Sequence, residues 1–130
     1  MKIFFDGGCR PNPGPMESAV VARGQVYYRD DRGEGSSHQA EWEALLHALE
    51  VAGQLKVEEI LLLGDSRAVI NQANGFASSL AGDMAQRYRE ALSPFARVRL
   101  RYIKRTQNLA GIALGQIRQG LMNHDEEGAR

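Results

Sequence analysis

Residues 4–15 read FFDGGCRPNPGP, and this stretch decides how the chain begins to fold. Residues 2–6 are predicted to form a strand because isoleucine and phenylalanine favour extended backbone. The segment from Asp6 to Pro15 holds three glycines and three prolines, and these residue types predict a loop. The sequence therefore predicts a short strand that delivers one carboxylate, Asp6, into a glycine-rich loop.

Strands and helices follow in an order that indicates the fold class. Ser36 or Ser37 is expected to cap the first helix. The segment 58–63 is apolar without alternation, as in strands buried on both faces, whereas 97–103 alternates arginines with apolar residues, as in a half-exposed strand. Early strands followed by strand–helix alternation predict an α/β fold with a mixed sheet and helices on its faces. The predicted elements after the loop are strands 18–23 and 25–29, a polar loop 30–37, helix 38–52, strand 58–63, helices 66–73 and 81–92, strand 97–103 and helix 108–122.

Composition narrows the class of protein. The chain is 43% apolar and 25% charged, which is typical of a soluble globular domain. We predict one domain at 1–123 and a polar tail at 124–130.

Cys9 is the one cysteine, and it predicts a cytoplasmic protein without disulfides. No apolar run is long enough to cross a membrane, and no obligate protein partner is evident. A net charge of zero excludes a generally polycationic binder but allows a local basic surface.

Three acids stand at the ends or first turns of predicted elements: Asp6 after the first strand, Glu41 in the first helix and Asp65 after the buried strand. If they converge, they form a site of hard oxygen ligands suited to Mg²⁺ or Mn²⁺. Each also has a plainer interpretation. Asp6 could form a turn, Glu41 could favour the helix dipole, and Asp65 could cap a helix. Periodicity does not by itself bring the three together.

Three motifs together resemble ribonuclease H type 1: FFDGGCRPNPGP at 4–15, QAEWEAL at 39–45 and LGDSRAVINQ at 63–72. The resemblance implies a five-stranded mixed sheet, three strands antiparallel and then parallel strands, with helices on both faces. It implies metal-dependent endonucleolytic hydrolysis of the RNA strand of RNA–DNA hybrids. Asp6, Glu41 and Asp65 would be the catalytic metal ligands for two Mg²⁺ ions, with Mn²⁺ as a substitute and Asp6 shared between the ions.

The last helix departs from the family pattern. Aligned on Asn108 and Leu114, the family's fourth acid is Ile112, which cannot bind a cation and is expected to pack within the helix. This predicts reduced activity. It also keeps open an alternative from another class, a catalytically weak or inactive module that binds RNA–DNA hybrids. A further option is that an acid of the tail replaces the missing ligand, the candidates being Asp125, Glu126 and Glu127.

The resemblance and the local chemistry also suggest substrate contacts. Hybrids are recognised through sugars and phosphates, which small polar residues, backbone amides and basic side chains can bind. His47 and His124 are interpreted as surface residues without a catalytic role. The predicted substrate-binding residues are Gly7, Cys9, Arg10, Asn12, His38, Gln39, Ser66, Gln72, Lys104 and Arg105.

Overall fold

The computed structural model describes residues 1–75 and 82–121. Over these residues four strands come first, and helices with two further strands between them follow. No helix within these two ranges has the length and apolar character needed to span a membrane. The elements are β1 Lys2–Cys9, β2 Gly14–Ala22, β3 Gln25–Arg29, β4 Glu34–Gly35, α1 Ser37–Gln54, β5 Glu59–Gly64, α2 Arg67–Ala73, α3 Gly82–Leu92, β6 Arg97–Tyr102, a 3₁₀ turn Arg105–Gln107, and α4 Leu109–Arg118.

The main path of the sheet runs β3-β2-β1-β5-β6. β1 pairs antiparallel with β2, and β2 with β3, whereas β5 pairs parallel with both β1 and β6. The predicted α/β fold and the change from antiparallel to parallel strands are therefore confirmed. The predicted loop 30–37 is wrong in part, because Glu34 and Gly35 form the two-residue strand β4, which pairs with the start of β2.

The first hairpin is longer than predicted. The segment from Asp6 to Pro15 was expected to be a loop, yet β1 continues to Cys9 and β2 begins at Gly14, so that only residues 10–13 connect them. Glycine within a strand often marks a close approach by another part of the protein. A Cβ on Gly7 would lie 2.1 Å from the carbonyl oxygen of Ala40 in α1. Tertiary packing therefore overrides the local signal for a loop.

The sheet separates two apolar clusters because successive strand residues point to opposite faces. In β1, Ile3 and Phe5 are buried in a cluster formed with α1, α2 and α3. Phe4, between them, packs against a second cluster that includes Ala113 and Leu114 of α4. Burial of each large side chain contributes roughly 1.5–3 kcal/mol. These two cores fix α1 and α4 on opposite faces, as predicted for helices on both sides.

Capping side chains set where the helices begin. The Ser36 hydroxyl accepts from the Gln39 amide at 3.1 Å, and the Gln39 side chain accepts from the Ser36 amide at 2.8 Å. This capping box decides between the two serines that the sequence left open. The last helix ends at Arg118, earlier than the predicted 122. Residue 81, the predicted start of α3, and residue 122 lie outside the described residues.

His47 is not the surface residue that the sequence suggested. It is 1% exposed, on the face of α1 that packs against the sheet. Its Nδ1 lies 2.8 Å from the hydroxyl of Ser18 in β2. A buried polar side chain is stabilised when it has such a partner, so His47 helps to join α1 to the sheet. His124 lies outside the described residues.

Candidate functional site

Three carboxylates meet where β1, α1 and β5 come together. Asp6, Glu41 and Asp65 each offer an oxygen atom, and these three atoms lie within 4.8 Å of one another. The Gly7 amide donates to Glu41 Oε1 at 3.1 Å, which holds the helix carboxylate beside the strand. The structure thus brings together the three acids that the sequence singled out, a geometry in which one cation could contact all three.

Asn108 holds the third acid in place. Its Nδ2 donates to Asp65 Oδ2 at 3.1 Å and to the Phe5 carbonyl at 3.0 Å. Its Oδ1 accepts from the Ala110 amide at 3.0 Å, so the same side chain caps α4. Asn108 is 0% exposed. One buried carboxamide therefore links the middle of β1, the residue that follows β5 and the start of α4.

Crowding raises the pKa values of two of the acids. Burial, followed by the charges of Asp6 and Asp65, raises the pKa of Glu41 from 4.5 to about 9. Burial and the charge of Asp65 raise the pKa of Asp6 from 3.8 to about 6, against the opposing charges of Arg105 and Arg118. Like charges disfavour each other's ionised forms. A bound cation would favour the ionised forms of both acids.

Ile112 lies in the pocket beside the acids rather than within the helix packing. Its side chain is 47% exposed, so the expectation that it packs against the rest of the protein is wrong. A Cβ built on the neighbouring Gly111 would lie 3.3 Å from Asp6 Oδ2, so the start of α4 passes close to the acids. Among the described residues, α4 adds no carboxylate to the cluster.

The three acids lie in a pocket of about 730 Å³. Part of the predicted substrate-binding set shares this pocket with them: Gly7, His38, Ser66 and Arg105. The lining also includes residues that were not predicted to bind substrate or metal: Ser37, Thr106, Gly111, Gly115 and Arg118. No local pattern singles these out, because they reach the pocket only through the packing of α4 and the start of α1 onto the sheet.

The other predicted contact residues lie outside the pocket lining. Asn12 binds the start of α1, donating to Ser37 Oγ at 3.0 Å and accepting from the Ser37 amide at 3.1 Å. Gln72 Oε1 lies 2.9 Å from His38 Nε2 and accepts from Trp42 Nε1 at 2.9 Å.

The rest of this outer set is divided between buried and exposed positions. Cys9 is buried against Met16 and Ala40, and the Gln39 side chain belongs to the capping box. Arg10 and Lys104 are exposed. None of these four residues lines the pocket.

Comparisons with known proteins agree with this architecture. The model of a family described as reverse transcriptase-like matches residues 4–116. Ribonuclease HI of Halobacterium salinarum is 32% identical over 123 residues. That match covers 85% of this chain and 60% of the relative, so the chain spans less than two thirds of the relative's length.

Two solved structures are similar over nearly the whole chain. The crystal structure of RNase H1 from Halobacterium salinarum has a TM-score of 0.76 and 29% identity, and the match covers 92% of this chain and 97% of that one. The N-terminal RNase H domain of a Mycobacterium tuberculosis protein, solved as a fusion with maltose binding protein, has a TM-score of 0.69 and 26% identity, and the match covers 87% and 93%.

The strand order and the acid cluster define the class as an α/β domain of ribonuclease H type. The family model covers most of the chain, from β1 into α4. The chain therefore belongs to the reverse transcriptase-like family of ribonuclease H-like domains, as the resemblance of its three motifs indicated.

Proposed function

We propose that this protein is a divalent-metal-dependent endonuclease that hydrolyses the RNA strand of RNA–DNA hybrids. One observation carries the proposal: Asp6, Glu41 and Asp65 have ligand oxygens within 4.8 Å of one another in a pocket of about 730 Å³. Arg105 and Arg118 also line that pocket. A cluster of acids flanked by guanidinium groups suits a substrate whose phosphates reach the site together with a cation.

The donor set fits Mg²⁺, with Mn²⁺ as a substitute, because all three ligands are carboxylates and hard cations prefer oxygen. The raised pKa values of Asp6 and Glu41 support the same assignment, since neighbouring carboxylates without a cation repel one another. Asp6, Glu41 and Asp65 would hold the metal, and the bound metal would activate water and neutralise charge on the phosphate.

The chain's own residues would then position the substrate. The Gly7 amide and Asn108 orient two of the acids. Arg105 offers a positive charge for a phosphate, and His38 and Ser66 offer polar groups in the same pocket. Contacts of this kind bind the backbone of a nucleic acid without selecting a base sequence. We therefore expect the protein to require an RNA–DNA hybrid but to cleave it with little preference for base sequence.

The proposal includes a low rate of cleavage, and the apolar side chain of Ile112 supports this. A 47% exposed isoleucine at this place supplies no oxygen to a cation. We expect at least one metal to bind weakly, and turnover to be low at low Mg²⁺.

The same residue favours a second candidate function, a hybrid-binding module with little or no catalysis. The acid cluster argues against it, because three like charges would only repel phosphates if no metal were used.

The test is cleavage of an RNA–DNA hybrid labelled separately on each strand, in Mg²⁺, in Mn²⁺ and in excess chelator. We expect internal cuts in the RNA strand that leave 5′-phosphate and 3′-hydroxyl ends, and only with metal. Asp65→Asn is the matched inactive control, since Asn108 can still bind the substituted side chain. Cleavage in chelator would overturn the metal mechanism. Tight hybrid binding without cleavage in either metal would establish the second candidate.

Three further parts of the sequence prediction remain predictions: one domain at 1–123 with a tail at 124–130, a cytoplasmic location, and function without an obligate protein partner. Replacement of the fourth acid by Asp125, Glu126 or Glu127 concerns residues outside those that the structure describes.

A further inference from the structure

Arg118, the last residue of α4, lines the pocket on the side of Gly115 and Ile112. Its Nε donates to the carboxylate of Glu17 in β2. The other oxygen of Glu17 accepts from the Tyr28 hydroxyl at 2.7 Å. Glu17 is thereby held by β3 while it holds Arg118, so the guanidinium has a defined place at the pocket wall.

Gly8 makes room for this guanidinium. A Cβ on Gly8 would lie 2.6 Å from Arg118 Nη2, so β1 has no side chain where the arginine lies over it. Asp6 is two residues earlier and points to the same face of the strand, roughly 7 Å away along the backbone. The positive charge of Arg118 is near enough to oppose the raised pKa of Asp6, which burial and Asp65 cause.

The ion pair with Glu17 leaves part of the guanidinium unused. Nη2 of Arg118 is buried and has no hydrogen-bond partner among the described residues. A buried donor without an acceptor is unfavourable, and a guanidinium can bind one anion through several N–H groups at once. The Arg118 side chain as a whole is 24% exposed and lines the pocket, so it can meet a ligand that enters there.

Charge balance indicates what kind of ligand the Arg118 side chain would meet. Along α4, the pocket is lined by Gly111, Ile112, Gly115 and Arg118. Arg118 is the one charged side chain among these four, and its partner Glu17 is not among the residues that line the pocket. An anion entering beside the acids would meet less repulsion here than near Asp6 or Glu41. The wall that lacks the family's fourth acid is therefore suited to a phosphate group.

We propose that Arg118 binds a backbone phosphate of the RNA–DNA hybrid at the α4 wall of the pocket, with Glu17 holding the guanidinium in position. This rests on the proposed function, because the hybrid is the substrate assumed. The contact would anchor the strand beside the acids through charge and hydrogen bonds, without reading the bases.

Binding of a labelled hybrid in excess chelator, titrated with salt, tests this without any need for turnover. We expect Arg118→Gln to weaken binding about tenfold and to reduce the slope of log affinity against log salt by about 0.9, the value for one lost phosphate contact. Arg118→Lys should keep the slope, while its affinity falls because a lysine cannot offer a fork of donors.

Two controls separate a contact from a change in overall charge. Arg97→Gln removes one positive charge at the opposite end of the parallel strands, and its salt slope should match the wild type. The single variant leaves Glu17 without its partner and could fold poorly for that reason. The double variant Glu17→Gln/Arg118→Gln removes both charges, so that neither is left unpaired and the net charge stays the same. Its slope should still fall by about 0.9.

A wild-type slope in the folded double variant would overturn the role of Arg118. Wild-type cleavage of hybrids together with unchanged binding by both Arg118→Gln and the double variant would leave the proposed function standing and refute only the phosphate contact. If the wild-type protein binds no hybrid at all, both proposals fail together.

Discussion

Glu41→Gln should stabilise the metal-free protein, and the gain should grow as the pH rises. Glu41 has the most strongly raised pKa of the acid cluster, about 9 against an ordinary 4.5, because of burial and then the charges of Asp6 and Asp65. Glutamine has nearly the same shape and can still accept from the Gly7 amide. The substitution therefore removes the acid group and changes little else.

The sign follows from proton binding. An acid whose pKa is raised by folding binds more protons in the folded state, so its contribution to stability is fully present below the unfolded pKa and is lost as the pH rises toward the folded value. For Glu41 this window runs from 4.5 to about 9. Between pH 4.5 and neutral pH, the stability that is lost through Glu41 is at most about 3 kcal/mol. The Glu41 side chain is partly exposed, so screening by water reduces this loss. We therefore expect Glu41→Gln to raise the free energy of unfolding by about 1–2 kcal/mol at pH 7.

The assay is urea or thermal unfolding in chelator at about pH 5, 7 and 8, where about 1–2 kcal/mol corresponds to roughly 3–8 °C in Tm. Glu58→Gln is the matched control, since Glu58 is an exposed acid just before β5, away from the site. Added Mg²⁺ should stabilise the wild type more than the variant. A gain that is equal at pH 5 and 8, or a variant less stable than the wild type at pH 8, would refute the reasoning.

Three further substitutions test other parts of the site and its support. Ile112→Asp should lose about 1 kcal/mol of apolar burial yet bind Mg²⁺ more tightly than Ile112→Asn in calorimetric titration; equal affinities would show that this position does not face the metal. Asn108→Ala should lower the free energy of unfolding in urea by about 2–4 kcal/mol, through loss of the α4 cap and of the bond to Asp65. Arg87 of α3 donates to both carboxylate oxygens of the buried Glu43 in α1, at 2.7 and 2.8 Å. Arg87→Ala should therefore cost about 1–2 kcal/mol in the same assay; an unchanged midpoint would contradict that role.

Periodicity and residue type predicted most of the fold because they report local preferences. The unalternating strand at 58–63 and the alternating strand near 97–103 appear as a buried β5 and a half-exposed β6. The serine cap at the start of α1 was predictable for the same reason. Strand–helix alternation limits the possible topologies and predicted a mixed sheet. The arrangement of three antiparallel strands followed by parallel strands was implied by the resemblance to ribonuclease H.

The site was predictable only in part, because its geometry depends on residues far apart in sequence. The three motifs identified Asp6, Glu41 and Asp65 through their resemblance to a family, whereas each acid alone had an ordinary local interpretation. Asn108 served only to align the last helix, although its side chain binds Asp65. Arg118 had no sequence signal at all, since its place depends on a partner in β2, 101 positions earlier in the chain.

The two adjacent glycines of β1 explain how one short strand can support both the fold and the site. A turn was the natural interpretation of Gly7-Gly8, yet both residues are extended and paired with β2. Because strand residues alternate, Gly7 leaves room on one face for the Ala40 carbonyl, and Gly8 leaves room on the other for Arg118. The first gap lets α1 approach closely enough for Glu41, the residue after Ala40, to accept from the Gly7 amide. The absence of two side chains therefore brings a carboxylate to one side of Asp6 and a guanidinium to the other.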